Sequence, residues 1–207
     1  MHKNEQYLLK IKKSLIIINS IFPNEEWIYV EPFIYVAKSR MIEKSNELKK
    51  WERELSQARL LVNLSCVIFF LPEKKNDKKG KVYVDTIIDG EIVELKTVAG
   101  NRNTLGTAFE QGFKQGRALM KEFPEIQSHS VYIRLLSDHT IGSVKAKIAG
   151  ELKNWHDNGF FICFFEKSSE LHTWSYDELR MLINTDKKSP DSDKTEPGSA
   201  GRDSEVR

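Results

Sequence analysis

Residues 82–98 read VYVDTIIDGEIVELKTV, and their pattern decides the architecture around them. Two runs rich in Val, Ile and Thr flank Asp89-Gly90. A type I′ turn needs positive φ at both central positions, which Asp-Gly meets at little steric cost. The stretch therefore predicts a β-hairpin with a two-residue loop, and such a loop fixes the register. Ile88 then faces Glu91, Ile87 faces Ile92, Thr86 faces Val93 and Asp85 faces Glu94. Alternation along the second strand puts Ile92, Glu94 and Lys96 on one side of the sheet, with Val93 and Leu95 on the other.

Before the hairpin, EKKNDKKGK (73–81) is charged and turn-rich, hence a loop. The apolar run from Cys66 to Leu71, ended by Pro72, predicts a buried strand. Residues 41–64 carry Leu48, Trp51, Leu55, Ala58 and Val62 at steps of three and four, the apolar stripe of a helix. Residues 27–37 (WIYVEPFIYVA) are rich in β-formers around Pro32, so two short extended pieces or a bent edge strand are expected. Residues 4–20 place Tyr7, Leu8, Ile11, Leu15 and Ile18 at helical spacing.

After the hairpin the pattern predicts a helix over 103–123, capped by Asn103 or Thr104 and closed before Pro124. A strand at 130–135 and a helix over 140–158 stopped by Gly159 follow. Strands at 160–165 and 171–174 then lead to a helix at 176–184 capped by Ser175. Beyond Asp186 almost nothing is apolar, and disorder is expected. The sum is a mixed α/β domain, a central sheet flanked by helices. It divides into an N-terminal helix/strand extension (1–49), a main domain (50–185) and a disordered tail (186–207).

The chain has 207 residues, 40% hydrophobic and 30% charged, the profile of a soluble globular protein. A formal net charge of +2 argues neither for nor against a polyanionic partner. No apolar run approaches the ~18–20 residues that a membrane-spanning helix needs. The N-terminus places lysines before SLIII but carries Glu5 and no small-residue cleavage site, so it reads as a packed helix rather than a signal peptide. Cys66 and Cys163 sit in apolar runs and are expected as buried thiols. That fits a reducing compartment and a cytoplasmic site of action. His129, His139, His156 and His172 have no metal-ligand spacing.

The hairpin register has a chemical consequence. Two carboxylates directly opposite each other, Asp85 and Glu94, repel. A divalent cation reverses the sign, because each carboxylate becomes an oxygen ligand. Lys96 lies diagonally beyond Asp85 on the same face, where an ammonium can orient a water or hold the charge that builds on a phosphate. A solvated polar face would also account for Glu94 and Lys96. Against it stand Tyr83, Ile87 and Ile92 on that side, a large apolar area to leave in water.

Asp85 followed by Glu94-Leu95-Lys96 resembles the signature of the PD-(D/E)XK nuclease superfamily, with Val84 where the usual pattern has proline. The resemblance implies a restriction-endonuclease-like core: helix, three strands, helix, strand, from about Lys50 to Leu135. It further implies metal-dependent phosphodiester hydrolysis. Asp85 and Glu94 would hold Mg²⁺ or Mn²⁺, with Zn²⁺ a further candidate, and Lys96 would assist by positioning or polarising the attacking water or by holding the charge that builds on the phosphate. Glu54, in WERELSQARLLVNL, takes the place of the acid often supplied by the preceding helix.

The cadence of VDTIIDGEIVELKTVAGNRNTLGTAFEQGFKQG also looks like the C-terminal tRNA-nuclease domains of contact-dependent growth inhibition toxins. That likeness covers roughly residues 50–165. It favours tRNA over DNA as substrate and implies a cognate immunity protein as partner. The alternatives are a DNA endonuclease of a mobile element and a catalytically inactive relative that binds nucleic acid or protein.

Four further residues are candidates for substrate contact. Thr97 follows the lysine and can bond a phosphate, although β-propensity alone accounts for a strand Thr. Asn101 and Asn103 precede a helix whose N-terminus favours anions, with capping as the plainer role for Asn103. Gln111, with Gln115 one turn on and Lys114 and Arg117 nearby, lies on the helix that packs beside the hairpin in the family.

Overall fold

A computed structural model describes residues 3–44, 48–72 and 84–186. Among these, eight strands form one mixed sheet in sequence order, β1 to β8. The elements are α1 (Lys3–Ile21), β1 (Trp27–Glu31), β2 (Ile34–Ala37), α2 (Lys38–Lys44), α3 (Leu48–Asn63), β3 (Ile68–Phe70), β4 (Thr86–Ile88), β5 (Glu91–Val98), α4 (Arg102–Glu122), β6 (Ser130–Leu135), α5 (Ile141–Leu152), β7 (Phe160–Phe165), β8 (Glu170–Ser175) and α6 (Tyr176–Asp186). The chain is a mixed α/β protein, as its patterning predicts.

Strand alternation splits the sheet into two apolar faces. One face carries Val98, Val131, Ile133 and Leu135 against Phe109 and Phe113 of α4, Val144 and Ile148 of α5, and Leu179 of α6. The same side continues under α1, where Ile18 and Ile21 pack on Phe69, Ile87 and Ile92. The opposite face presents Ile68, Phe70, Val93, Leu95 and Tyr132 to Leu55, Ala58 and Leu61 of α3. Each such side chain taken from water contributes ~1.5–3 kcal/mol, so the two faces together hold the sheet between its helices.

The hairpin forms in the expected register, with Thr86↔Val93, Ile87↔Ile92 and Ile88↔Glu91 as partners. Asp89 and Gly90 both take positive φ, 54° and 89°, and Asp89 Oδ1 accepts from the Val67 amide at 2.7 Å. The ladder ends at Thr86, so Asp85 lies just outside β4, and residues 73–83, with the charged loop and Tyr83, are outside the described residues. The order helix, three strands, helix, strand follows from α3 to β6.

Other boundaries move for local reasons. Of residues 41–64, the first four end α2 and Leu48–Asn63 form α3, with 45–47 outside the described residues. The entry to α4 is capped by Asn101, not by Asn103 or Thr104: its Oδ1 accepts from the Asn103 and Thr104 amides at 3.0 and 3.2 Å. Helix α5 ends at Leu152, well before Gly159, because the chain turns to bridge Asn158 to Ser128. Gly159 is needed there for a different reason: at φ 147° it passes so close to the His129 carbonyl that a Cβ would lie 1.8 Å from the oxygen. Cys163 is buried and Cys66 half-buried.

Residues of the N-terminal extension are built into the sheet. β2 pairs in parallel with β3 through Ile34↔Ile68, and α1 shares a core with β3, β4 and β5. The expected tail beyond Asp186 lies outside the described residues.

Candidate active site

Strands β2, β3, β5 and β6 all finish at the same end of the sheet, where antiparallel β4 begins. In open α/β sheets that carboxyl edge is where ligands bind. Asp85, Glu94, Lys96, Glu54 and Arg40 meet there.

Asp85 and Glu94 are neighbours, one pair beyond the end of the β4–β5 ladder. The Asp85 amide donates to Glu94 Oε2 at 3.0 Å. Lys96, two residues along the same face of β5, forms an ion pair with the other oxygen, Oε1. Its Nζ also donates to Gln115 Oε1 of α4 at 2.9 Å. Helix α4 crosses directly over this face, and Gly112 makes the approach possible. A Cβ at Gly112 would come within 3.1 Å of both Glu94 Cγ and Val131 Cγ1.

Burial first, and the Asp85 charge second, push the Glu94 carboxyl up to about 8, against the opposing pull of Lys96. A carboxyl in that state is poised to gain from an added positive charge. Glu94 is closed to solvent, whereas the side chains of Asp85 and Lys96 keep 19% and 23% of their exposure. The opening to solvent is therefore on the Asp85–Lys96 side.

Glu54 comes to the same edge from α3 but faces a fixed cation. Arg40, the third residue of α2, is fully buried and stands between the two acids. Its Nη2 donates to Glu54 Oε2 at 3.0 Å and lies 3.4 Å from Asp85 Oδ1. Its Nη1 donates to the Leu71 and Asp85 carbonyl oxygens at 2.8 and 3.0 Å. The guanidinium plane sits 5.1 Å from the centre of the Phe70 ring. Sequence reasoning missed Arg40 because it lies 45 residues from Asp85, and no local spacing marks it.

The expected substrate-contact residues separate. Thr97 lies on the opposite face of β5 from Lys96, and its Oγ1 accepts from Gln57 Nε2 at 2.6 Å. Gln57 Nε2 also donates to the Lys96 carbonyl at 3.0 Å, so α3 steadies the backbone that carries the lysine. Asn101 caps α4, and Asn103 lies exposed in its first turn. Gln111 is exposed, one turn before Gln115, and it is Gln115 that reaches Lys96.

Beside these residues, on the α3 side of the sheet, Lys49, Glu52, Arg53 and Ser56 line an open groove of about 560 Å³ with Arg134. Arg134 is the register partner of Thr97. It donates to Ser56 Oγ at 3.0 Å and pairs with both oxygens of Glu166.

Asp85 and Glu94 offer only oxygen donors, and no group of three or more His, Cys, Asp or Glu side chains able to hold a metal occurs among the described residues. Two carboxylates completed by water fit Mg²⁺ or Mn²⁺, which keep several waters. Zn²⁺, which favours imidazole and thiolate, fits less well. No protein-family model matches the chain, and no curated protein or solved structure matches it either.

Proposed function

We propose that this chain is a metal-dependent nuclease that hydrolyses phosphodiester bonds, with RNA, tRNA in particular, as its substrate. The observation that carries the reading is the meeting of Asp85, Glu94 and Lys96 at one point of the carboxyl edge, the acids linked through the Asp85 amide and the lysine paired to Glu94. Asp85 and Glu94 would hold one Mg²⁺ or Mn²⁺ ion, which supplies positive charge against the phosphate and acidifies water. Lys96 donates from its ammonium to a phosphate oxygen or orients the attacking water, its Nζ aimed by Glu94 and Gln115. The groove bearing Lys49, Arg53 and Arg134 receives the flanking backbone.

The preference for tRNA rests on the likeness of residues 84–116 to the toxin nucleases, and with it come an immunity protein and a cytoplasmic site of action. No helix among the described residues is long and apolar enough to cross a membrane.

The test is incubation of the protein with tRNA, single-stranded DNA and duplex DNA, with and without Mg²⁺ or Mn²⁺. Metal-dependent cleavage that Lys96→Ala abolishes supports the reading, and wild type and variant behaving alike on all three substrates ends it. Cleavage confined to duplex DNA would favour an endonuclease of a mobile element. One observation favours an inactive relative as the second reading: Arg40 and Lys96 already neutralise much of the acid cluster. Filter binding without cleavage, unaffected by Asp85→Ala, would establish it.

A further inference from the structure

We infer that Arg40 is the resident cation between Glu54 and Asp85, so that the site takes one divalent ion, on the Asp85–Glu94 side, and Glu54 is not a metal ligand. This rests on the nuclease reading and deepens it. Two acids on neighbouring elements, each with an oxygen within 3.4 Å of the same Nη2, define the position a second ion would occupy. The guanidinium fills that position.

Geometry and charge agree on this. The other Glu54 oxygen faces Lys50 at 3.9 Å, so both carboxylate oxygens of Glu54 already look at cations. Arg40 is also anchored through Nη1 to two backbone carbonyls, on the end of β3 and the start of the hairpin. A side chain held at both ends of its fork, with no exposure, cannot swing aside without leaving two carbonyls and two carboxylates short of a donor. Among the described residues, the carboxylates of Glu54, Asp85 and Glu94 already face Arg40, Lys96 and, on the more exposed side of Glu54, Lys50. A second dication between Glu54 and Asp85 would lie against the buried Arg40 guanidinium, like charge on like charge in a low-dielectric setting.

Arg40 is thus a positioning residue. It fixes the Asp85 backbone through the carbonyl and turns one carboxylate oxygen towards itself, leaving the other for the ion or a water.

The test is a calorimetric titration of the full chain with Mn²⁺, checked by the loss of free Mn²⁺ signal in electron paramagnetic resonance. Wild type should bind one ion per chain. Asp85→Asn should weaken binding about tenfold or more, whereas Glu54→Gln, which keeps an acceptor for Arg40, should shift it less than about threefold. Arg40→Gln, if it melts cooperatively, should admit a second ion. If it does not fold, wild-type stoichiometry and the Glu54→Gln titration decide alone. Two ions in wild type, or a loss in Glu54→Gln equal to that in Asp85→Asn, overturns the inference and leaves the nuclease reading standing. No Mn²⁺ bound by wild type at millimolar concentration overturns the nuclease reading itself.

Discussion

Lys96 Nζ donates to Gln115 Oε1 at 2.9 Å, and this bond joins the strand that carries the acids to the helix that covers them. The ammonium is held from two sides, by Glu94 on its own strand and by Gln115 across the gap. Its position is therefore a property of the β5–α4 packing rather than of a free side chain.

If that holding matters for phosphate chemistry, Gln115 and Lys96 should differ in degree. Lys96→Ala removes the donor and should lower single-turnover RNA cleavage about 10²-fold or more. Gln115→Ala leaves the ammonium but loosens it, and about a tenfold loss is expected. Equal losses, or none in Lys96→Ala, would contradict this assignment.

Glu94 makes stability fall as pH rises. Its folded carboxyl titrates up at about 8 against an ordinary 4.5, so between those values the folded chain binds more protons than the unfolded one. Stability that is full below pH 4.5 is then lost progressively towards pH 8. Urea midpoints measured at pH 5 and pH 8.5 should show the decline, and Glu94→Gln should flatten it. Mn²⁺ bound beside Glu94 favours its ionised form, so added Mn²⁺ should raise the thermal midpoint more at pH 8 than at pH 5.

His129 acts in the opposite direction. It is fully buried among Phe113, Tyr176 and Gly116, and burial holds its imidazole down at about 4 against an ordinary 6.5. The unfolded chain takes up that proton first, so stability is lost as pH falls from 6.5 towards 4. Urea titrations at pH 7 and pH 4.5 should show a smaller acid-side loss in His129→Leu than in wild type.

Gly112→Val tests the close approach of α4. A branched side chain there meets Glu94 Cγ and Val131 from 3.1 Å inward and should cost ~1–3 kcal/mol of stability by overpacking. Cleavage should fall further than stability does, because the helix is displaced from Glu94 and Lys96. Chemical denaturation and activity at a temperature where the variant is fully folded separate the two effects.

What the sequence reveals follows the range of each interaction. The Asp89-Gly90 turn is local chemistry, and it delivered the register and the adjacency of Asp85 and Glu94. Helical and strand periods located α3, α4 and β6 for the same reason. Caps and stops were less legible: Asn101 competes with Asn103 and Thr104 as a polar residue before an apolar run, and only the observed bonds choose between them. The site was half visible. Arg40 and Gln57 act across 45 and 39 residues of chain, and Gln115 becomes the lysine's partner only through the way α4 crosses β5. No periodicity encodes those meetings.

One seam in the fold has a consequence of its own. Arg40 Nη1 grips the carbonyls of Leu71, just past β3, and Asp85, just before β4, and the Leu71 amide bonds the same Asp85 oxygen at 2.9 Å. The end of β3 and the start of β4 are thus stitched directly to each other. Loss of the Arg40 side chain alone would leave the Leu71–Asp85 backbone bond in place, so the rim that carries Asp85 should loosen rather than part.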